Sequence, residues 1–168
     1  MKYILEGPAE EIFEVRFADL KPALSIPANP GAYILFIFLG QKQNIRAGAL
    51  GNITFLPGWY AYVGSAMGGL RARVYRHLKR DKKIRWHIDY FLSVGELKEV
   101  FVMESARKIE CSISRCLAKR LLPAVLHFGT SDCTCKTHLF FASTKVELRK
   151  AVEETYQSMF NGKTFYGR

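Results

Sequence analysis

The sequence predicts an α+β fold from three observations. The run Gly31 to Leu39 (GAYILFIFL) is almost wholly apolar, is bounded by glycines and is too short for a stable core helix. A second aromatic run, Trp59 to Gly64 (WYAYVG), follows Pro57-Gly58. Beyond it Leu70, Val74, His77 and Leu78 recur at helical spacing. Two buried strands and an amphipathic helix within 168 residues fit one packed domain, and an apolar content of 49% argues against disorder.

Taken in order, residues 1–27 read as an N-terminal extension. It holds a strand-like Tyr3-Ile4-Leu5, a helical turn around Glu10 to Phe17, and the start of a linker, Ile26-Pro27-Ala28-Asn29-Pro30, whose prolines end any helix. Gly31 to Leu39 is a central strand with Tyr33, Leu35, Ile37 and Leu39 on one face. Gly40 to Asn44 turn the chain into a hairpin of Ile45 to Leu50 and Asn52 to Leu56. In the second core strand Tyr60 and Tyr62 share a face, and a buried tyrosine hydroxyl needs a partner.

Gly68-Gly69 lead into a helix over Leu70 to Arg80. Trp86 to Val94 satisfies both helix and strand templates and is read as helix, closed by Gly95. Lys98 to Met103 is the third strand. Ser105 caps a helix carrying Ile109, Ile113, Cys116 and Leu117, which ends before Pro123. A loop with Gly129, Cys133 and Cys135 precedes an apolar return at Leu139 to Ala142. A terminal helix, about Thr144 to Phe160, lies within residues 143–168 packed on the same domain.

Lys and Arg exceed Asp and Glu by 25 − 15 = 10, a positive field that concentrates polyanions. From Arg71 to Arg85 eight basic residues face one acid, Asp81, and that self-repulsion favours a backbone-binding surface. No charged-then-apolar leader and no bilayer-length apolar run is seen, so cytoplasmic residence is expected. In a reducing compartment the cysteines at 111, 116, 133 and 135 are free thiols or metal ligands before they are disulfides.

Gly31-Ala32-Tyr33 and Tyr62-Val63-Gly64, each in a predicted strand, resemble the two signature tripeptides of the GIY-YIG nuclease superfamily. Arg73 and His77 stand four apart on one helix face, like the arginine and the His-or-Tyr of those nucleases, and Glu110 follows Arg73 by 37 residues, where the family places a metal-binding glutamate. The segments FLPGWYAYVGSAMGGLRARVYRHL, RWHIDYFL and FGTSDCTCKTHLF look like a branch of that superfamily found in archaea and bacteria. The resemblance spans about residues 28–142. It implies an α/β sandwich: a small central antiparallel three-stranded sheet flanked by helices, here with an added hairpin between the two tripeptides. In one respect the chain departs from the pattern. Residues 111–130 contain no Asn to match the family's downstream asparagine, and Ser131, Asp132 and His138 are the candidates to replace it.

The implied activity is a metal-dependent endonuclease that hydrolyses phosphodiester bonds in DNA, in repair or processing. Glu110 would hold Mg²⁺ or Mn²⁺. Tyr33 would orient or deprotonate the water, its pKa lowered from about 10 by metal and nearby cations. Tyr62 would position substrate, Arg73 would supply a fork of donors to the phosphoryl oxygens with Arg71 as its rival, and His77 would relay a proton.

Ser65, Arg71, Arg76, Lys79, Arg80, Lys82, Lys83 and Arg85 are the expected nucleic-acid contacts. Further candidates are His87, Asp89, Asp132, Cys133, Cys135 and His138. For His87 and Asp89, packing and capping compete with a site role. The Cys133, Cys135, His138 group is read either as structural thiols beside the cleft or as zinc ligands completed by His127, Cys111 or Cys116, although the Cys-x-Cys-x-x-His spacing is not the usual zinc knuckle. Two other functions stay open: a non-catalytic nucleic-acid-binding module on the same fold, and a zinc-stabilised RNA-binding protein. DNA is the expected partner, RNA is also open, no membrane role is expected, and the default is a monomer.

Overall fold

The structure, a computed structural model, describes residues 12–16, 26–79 and 81–160. Its elements are β1 (Ile12–Arg16), β2 (Gly31–Leu39), β3 (Gln43–Arg46), β4 (Asn52–Phe55), β5 (Gly58–Ala66), α1 (Leu70–Leu78), α2 (His87–Phe91), β6 (Glu96–Glu104), α3 (Glu110–Leu117), β7 (Leu122–Pro123), β8 (Leu139–Ala142) and α4 (Lys145–Phe160). The mixed α+β class is as the sequence predicts. The strand count is not: among the described residues the sheet has six antiparallel strands in the order β1-β6-β2-β5-β8-β7, and β3-β4 forms a separate two-stranded ribbon.

The three expected strands are its centre, with β2 between β5 and β6. Three shorter strands extend the edges, where pairing decides what local pattern does not. Tyr3-Ile4-Leu5 lies outside the described residues. The helical turn expected around Glu10 to Phe17 is instead strand over Ile12–Arg16, because that segment pairs with Glu99 to Met103 of β6.

Alternation along β2 and β5 separates two cores. Tyr33, Leu35, Ile37 and Leu39 join Tyr60, Tyr62, Leu70, Val74 and Phe91 on the face covered by α1 and α2. Ala32, Ile34, Phe36, Ala61 and Val63 join Ile113, Leu117, Leu148 and Val152 on the face covered by α3 and α4. At the rim of the second face, buried Glu99 pairs with Lys145 and Arg149 of α4.

Local ends differ from expectation in explicable ways. The first turn of α1 has its N–H groups of Leu70 and Arg71 taken by the carbonyls of Asn29 and Pro27, so the proline linker serves as its cap. Ser105 does not cap α3. Its hydroxyl instead bonds Arg107 N and O, closing a local turn before the helix begins at Glu110. The helix expected over Trp86 to Val94 is shorter, His87–Phe91, and the first arm of the hairpin ends at Arg46 before a tight 3₁₀ turn at Gly48–Leu50.

Candidate active site

Tyr33 and Gly64 are direct cross-strand partners on β2 and β5. A Cβ at position 64 would stand 2.3 Å from the Tyr33 ring and hydroxyl, so glycine there is what lets the ring lie across the strand. The Tyr33 hydroxyl meets His77 Nε2 of α1 at 2.8 Å. Both are almost fully buried, at 1% and 3% exposure. The Tyr62 ring stands 6.4 Å from the Tyr33 ring, and Gly129, in the left-handed region at φ 73°, closes over it.

Glu110 opens α3 and is buried, and its Oε2 has no hydrogen-bond partner. The charges of Arg73 and Glu110 act on both tyrosines. So the five residues expected to act together, Tyr33, Tyr62, Arg73, His77 and Glu110, are electrostatic neighbours although 77 positions separate the first from the last. Burial raises the Glu110 carboxyl, Asp132 raises it further, and Lys108 and Arg73 oppose them.

Of the two causes expected to lower Tyr33, metal and cations, the cations alone do not suffice: burial pushes it well above the ordinary tyrosine value, more than Arg73 pulls it down. Burial also drives His77 down to about 3, with Lys82 adding to the effect and Asp89 opposing it. At neutral pH the pair is therefore a phenol against a neutral imidazole, whose Nδ1 is buried without a partner.

The basic segment divides. Arg73 and Arg76 both lie over the Trp86 ring, at 4.5 and 4.1 Å from its centre. Trp86 was not singled out in the sequence, where an indole ending a basic run was the available signal. Arg76 also forks onto both oxygens of Asp89 at 2.8 and 2.7 Å, and Lys82 approaches the same carboxylate at 3.8 Å. Asp89 further accepts from the backbone N–H of Arg85 and Trp86. Burial would raise its pKa, yet these donors bring it down to about 2. Asp89 is thus the internal anion that neutralises part of the run, and Arg76 and Lys82 are engaged within the fold.

Arg71 donates to the Ile26 carbonyl, which leaves Arg73 at the tyrosines. Lys79, Lys83 and Arg85 are exposed. Ser65 belongs by alternation to the opposite sheet face, with a buried hydroxyl, and Arg80 lies outside the described residues. His87 Nδ1 accepts from Gly129 N at 3.3 Å, a packing role in the loop over Tyr62.

Cys133, Cys135 and His138 do converge, and the fourth member of their group is Cys111, not Cys116 or His127. Of the three candidates to replace the downstream asparagine, Asp132 is the one whose charge acts on Glu110, while His138 is turned to Cys133 at 3.5 Å. Among the described residues no helix is long and apolar enough to cross a membrane. No curated protein and no solved structure matches the chain. The profile of one family, described as domain of unknown function DUF123, matches residues 32–161, and the chain belongs to that family.

Proposed function

We propose that this chain is a GIY-YIG-type, metal-dependent endonuclease that hydrolyses phosphodiester bonds in DNA. The observation that carries the reading is the Tyr33–His77 hydrogen bond, made possible by Gly64 and set among Tyr62, Arg73 and Glu110. A buried carboxylate oxygen without a donor fits a cation ligand, and Asp132 adds a second carboxylate in its field. Glu110, with Asp132, would hold Mg²⁺ or Mn²⁺. When bound, such an ion neutralises charge on the phosphoryl oxygens and the departing alkoxide.

The chain's own residues do the rest. Tyr33 orients the attacking water and takes its proton as its own passes to His77 Nε2. His77 is a weak base alone because burial and the cations Lys82, Arg76 and Arg73 hold its pKa down. A phosphodiester lodged against Arg73 offsets those charges and makes the transfer easier. Arg73 donates to the phosphoryl oxygens as charge builds, in a fixed plane that Trp86 supports. Tyr62, whose ring stands beside that of Tyr33, positions the scissile group.

The near-complete burial of Tyr33 and His77 favours a second reading, a nucleic-acid-binding module in which this hydrogen bond only holds α1 to the sheet. Branched, nicked, single-stranded and duplex DNA, incubated with Mg²⁺ or Mn²⁺, separates the two. The nuclease cuts in a metal-dependent way, loses cutting with Glu110→Ala, and slows by about 10²-fold or more with Tyr33→Phe. Binding by the native chain without any cutting sinks the nuclease and leaves the module.

A further inference from the structure

The ligand atoms of Cys111, Cys133, Cys135 and His138 lie within 4.8 Å of one another. We propose that these four residues bind one zinc ion in a closed structural site, and that the ion fixes Glu110 and Tyr62 relative to each other. Three thiols and an imidazole are a soft, four-donor set that suits tetrahedral zinc and poorly suits Mg²⁺ or Mn²⁺, which prefer oxygen. Cys133 Sγ and His138 Nε2 stand 3.5 Å apart. Zn–S and Zn–N bonds of about 2.3 and 2.05 Å at a tetrahedral angle would set the two ligands about 3.6 Å apart, so this edge already has the length an ion needs.

The backbone builds the site. His127 takes a left-handed φ of 61° and its N–H reaches the Lys136 carbonyl, while His138 N–H reaches Phe128 and Cys133 N–H reaches Thr130. These bonds close residues 127–138 into a loop that turns Cys133 and Cys135 back toward α3. There Cys111 occupies the first turn. Cys116, five residues on, falls on another side of the helix, which is why it is excluded.

Both ends of the cluster touch the candidate active site. Cys111 directly follows Glu110, and the carbonyl of His138 accepts from Val63 N, next to Tyr62. Gly129 of the same loop packs on the Tyr62 ring. An ion shared by Cys111 and His138 therefore ties the start of α3 to β5 across a gap that otherwise has no covalent link. The zinc site stands on its own donors, and only its positioning of Glu110 rests on the nuclease reading.

The test is metal analysis of the untagged native chain, purified without chelator, followed by replacement with Co²⁺. One zinc per chain is expected, and the cobalt form should show thiolate-to-cobalt charge transfer with the strong visible bands of tetrahedral coordination. Cys135→Ser and Cys111→Ser should lower the bound zinc to well below one per chain, and Cys116→Ser should leave it at one. Zinc removal should speed amide exchange in the first turn of α3 and in residues 127–138 while β2 keeps its protection. Absence of zinc from the native chain, with no uptake of added Zn²⁺ by the reduced protein, overturns the site, as does full zinc retention in Cys111→Ser. Zinc at one per chain with exchange in α3 unchanged on its removal overturns the positioning role. One zinc per chain in a protein that cuts no DNA leaves the metal site standing and removes the nuclease reading alone.

Discussion

Alternate residues of β2 and β5 build two faces with different rules. On one, Ala32, Ile34, Phe36, Ala61 and Val63 pack with Ile113, Leu117, Leu148 and Val152 of α3 and α4 through carbon, with Glu99 at the rim. On the other, three tyrosines bring polar ends among the aliphatic residues: Tyr33 meets His77, Tyr60 donates to the Leu56 carbonyl, and Tyr62 lies against the loop at Gly129. Dispersion and burial are non-directional, so the first face needs only volume and shape. The second needs particular atoms at particular places, and it depends on a glycine opposite a tyrosine. Function is therefore sought on the face whose residues cannot be exchanged by size.

The largest effect expected should break the first face without touching the second. Phe36 is fully buried and stacks on Phe101 with ring centres 4.8 Å apart. Phe36→Ala should cost about 3–5 kcal/mol of stability. Chemical denaturation measures the loss, and the cutting rate per folded molecule should stay within about twofold of native at a temperature where the variant is folded. A drop in rate with little change in stability would mean the two faces are not separable.

A smaller effect tests the second face through pH. His77 has a folded pKa of about 3 against an unfolded value of 6.5, so between them the unfolded chain binds the extra proton. The stability from keeping His77 neutral is thus complete above pH 6.5 and is lost as pH falls toward 3, at about 1.4 kcal/mol per pH unit. Glu110, whose pKa is raised, acts in the opposite sense in the acid range. The native chain should be compared with His77→Gln by denaturation between pH 7 and 5. The native stability should fall more steeply than that of the variant, and parallel curves would show that His77 is not held neutral.

How much of this was legible depended on whether the determining contact was local. The runs at Gly31–Leu39 and Gly58–Ala66 declare themselves because continuous apolar sequence has few other homes, and the split of tyrosines by face follows from a period of two. The Tyr33, Arg73, His77 and Glu110 set was reached through spacing and resemblance, and the fold makes them electrostatic neighbours. Three things were not legible. β1 exists through pairing with residues more than 80 positions away. Cys111 could not be chosen over Cys116 until α3 had a rotation relative to the loop. The direction of the Tyr33 shift depends on burial, which a list of neighbouring cations does not contain.

The same distinction divides the basic segment, with the smallest effect to measure. Lys83 and Arg85 are exposed, whereas Arg76 is forked onto buried Asp89 and packed on Trp86. A charge contributes to the salt dependence of DNA binding only if it displaces counterions from phosphate, each contact adding about 0.9 to the slope of log K against log salt. The double variant Lys83→Ala, Arg85→Ala should flatten that slope by about 1.8 and leave thermal stability within about 0.5 kcal/mol. Arg76→Ala should do the reverse: an unchanged slope, with a stability loss on the order of 1–3 kcal/mol as the Asp89 carboxylate loses its two strongest donors. Titrations of one duplex at several salt concentrations read the slope directly. If Arg76→Ala flattens it as much as the double variant does, the Asp89 fork opens when DNA binds, and the internal anion is a stand-in that the phosphate backbone replaces.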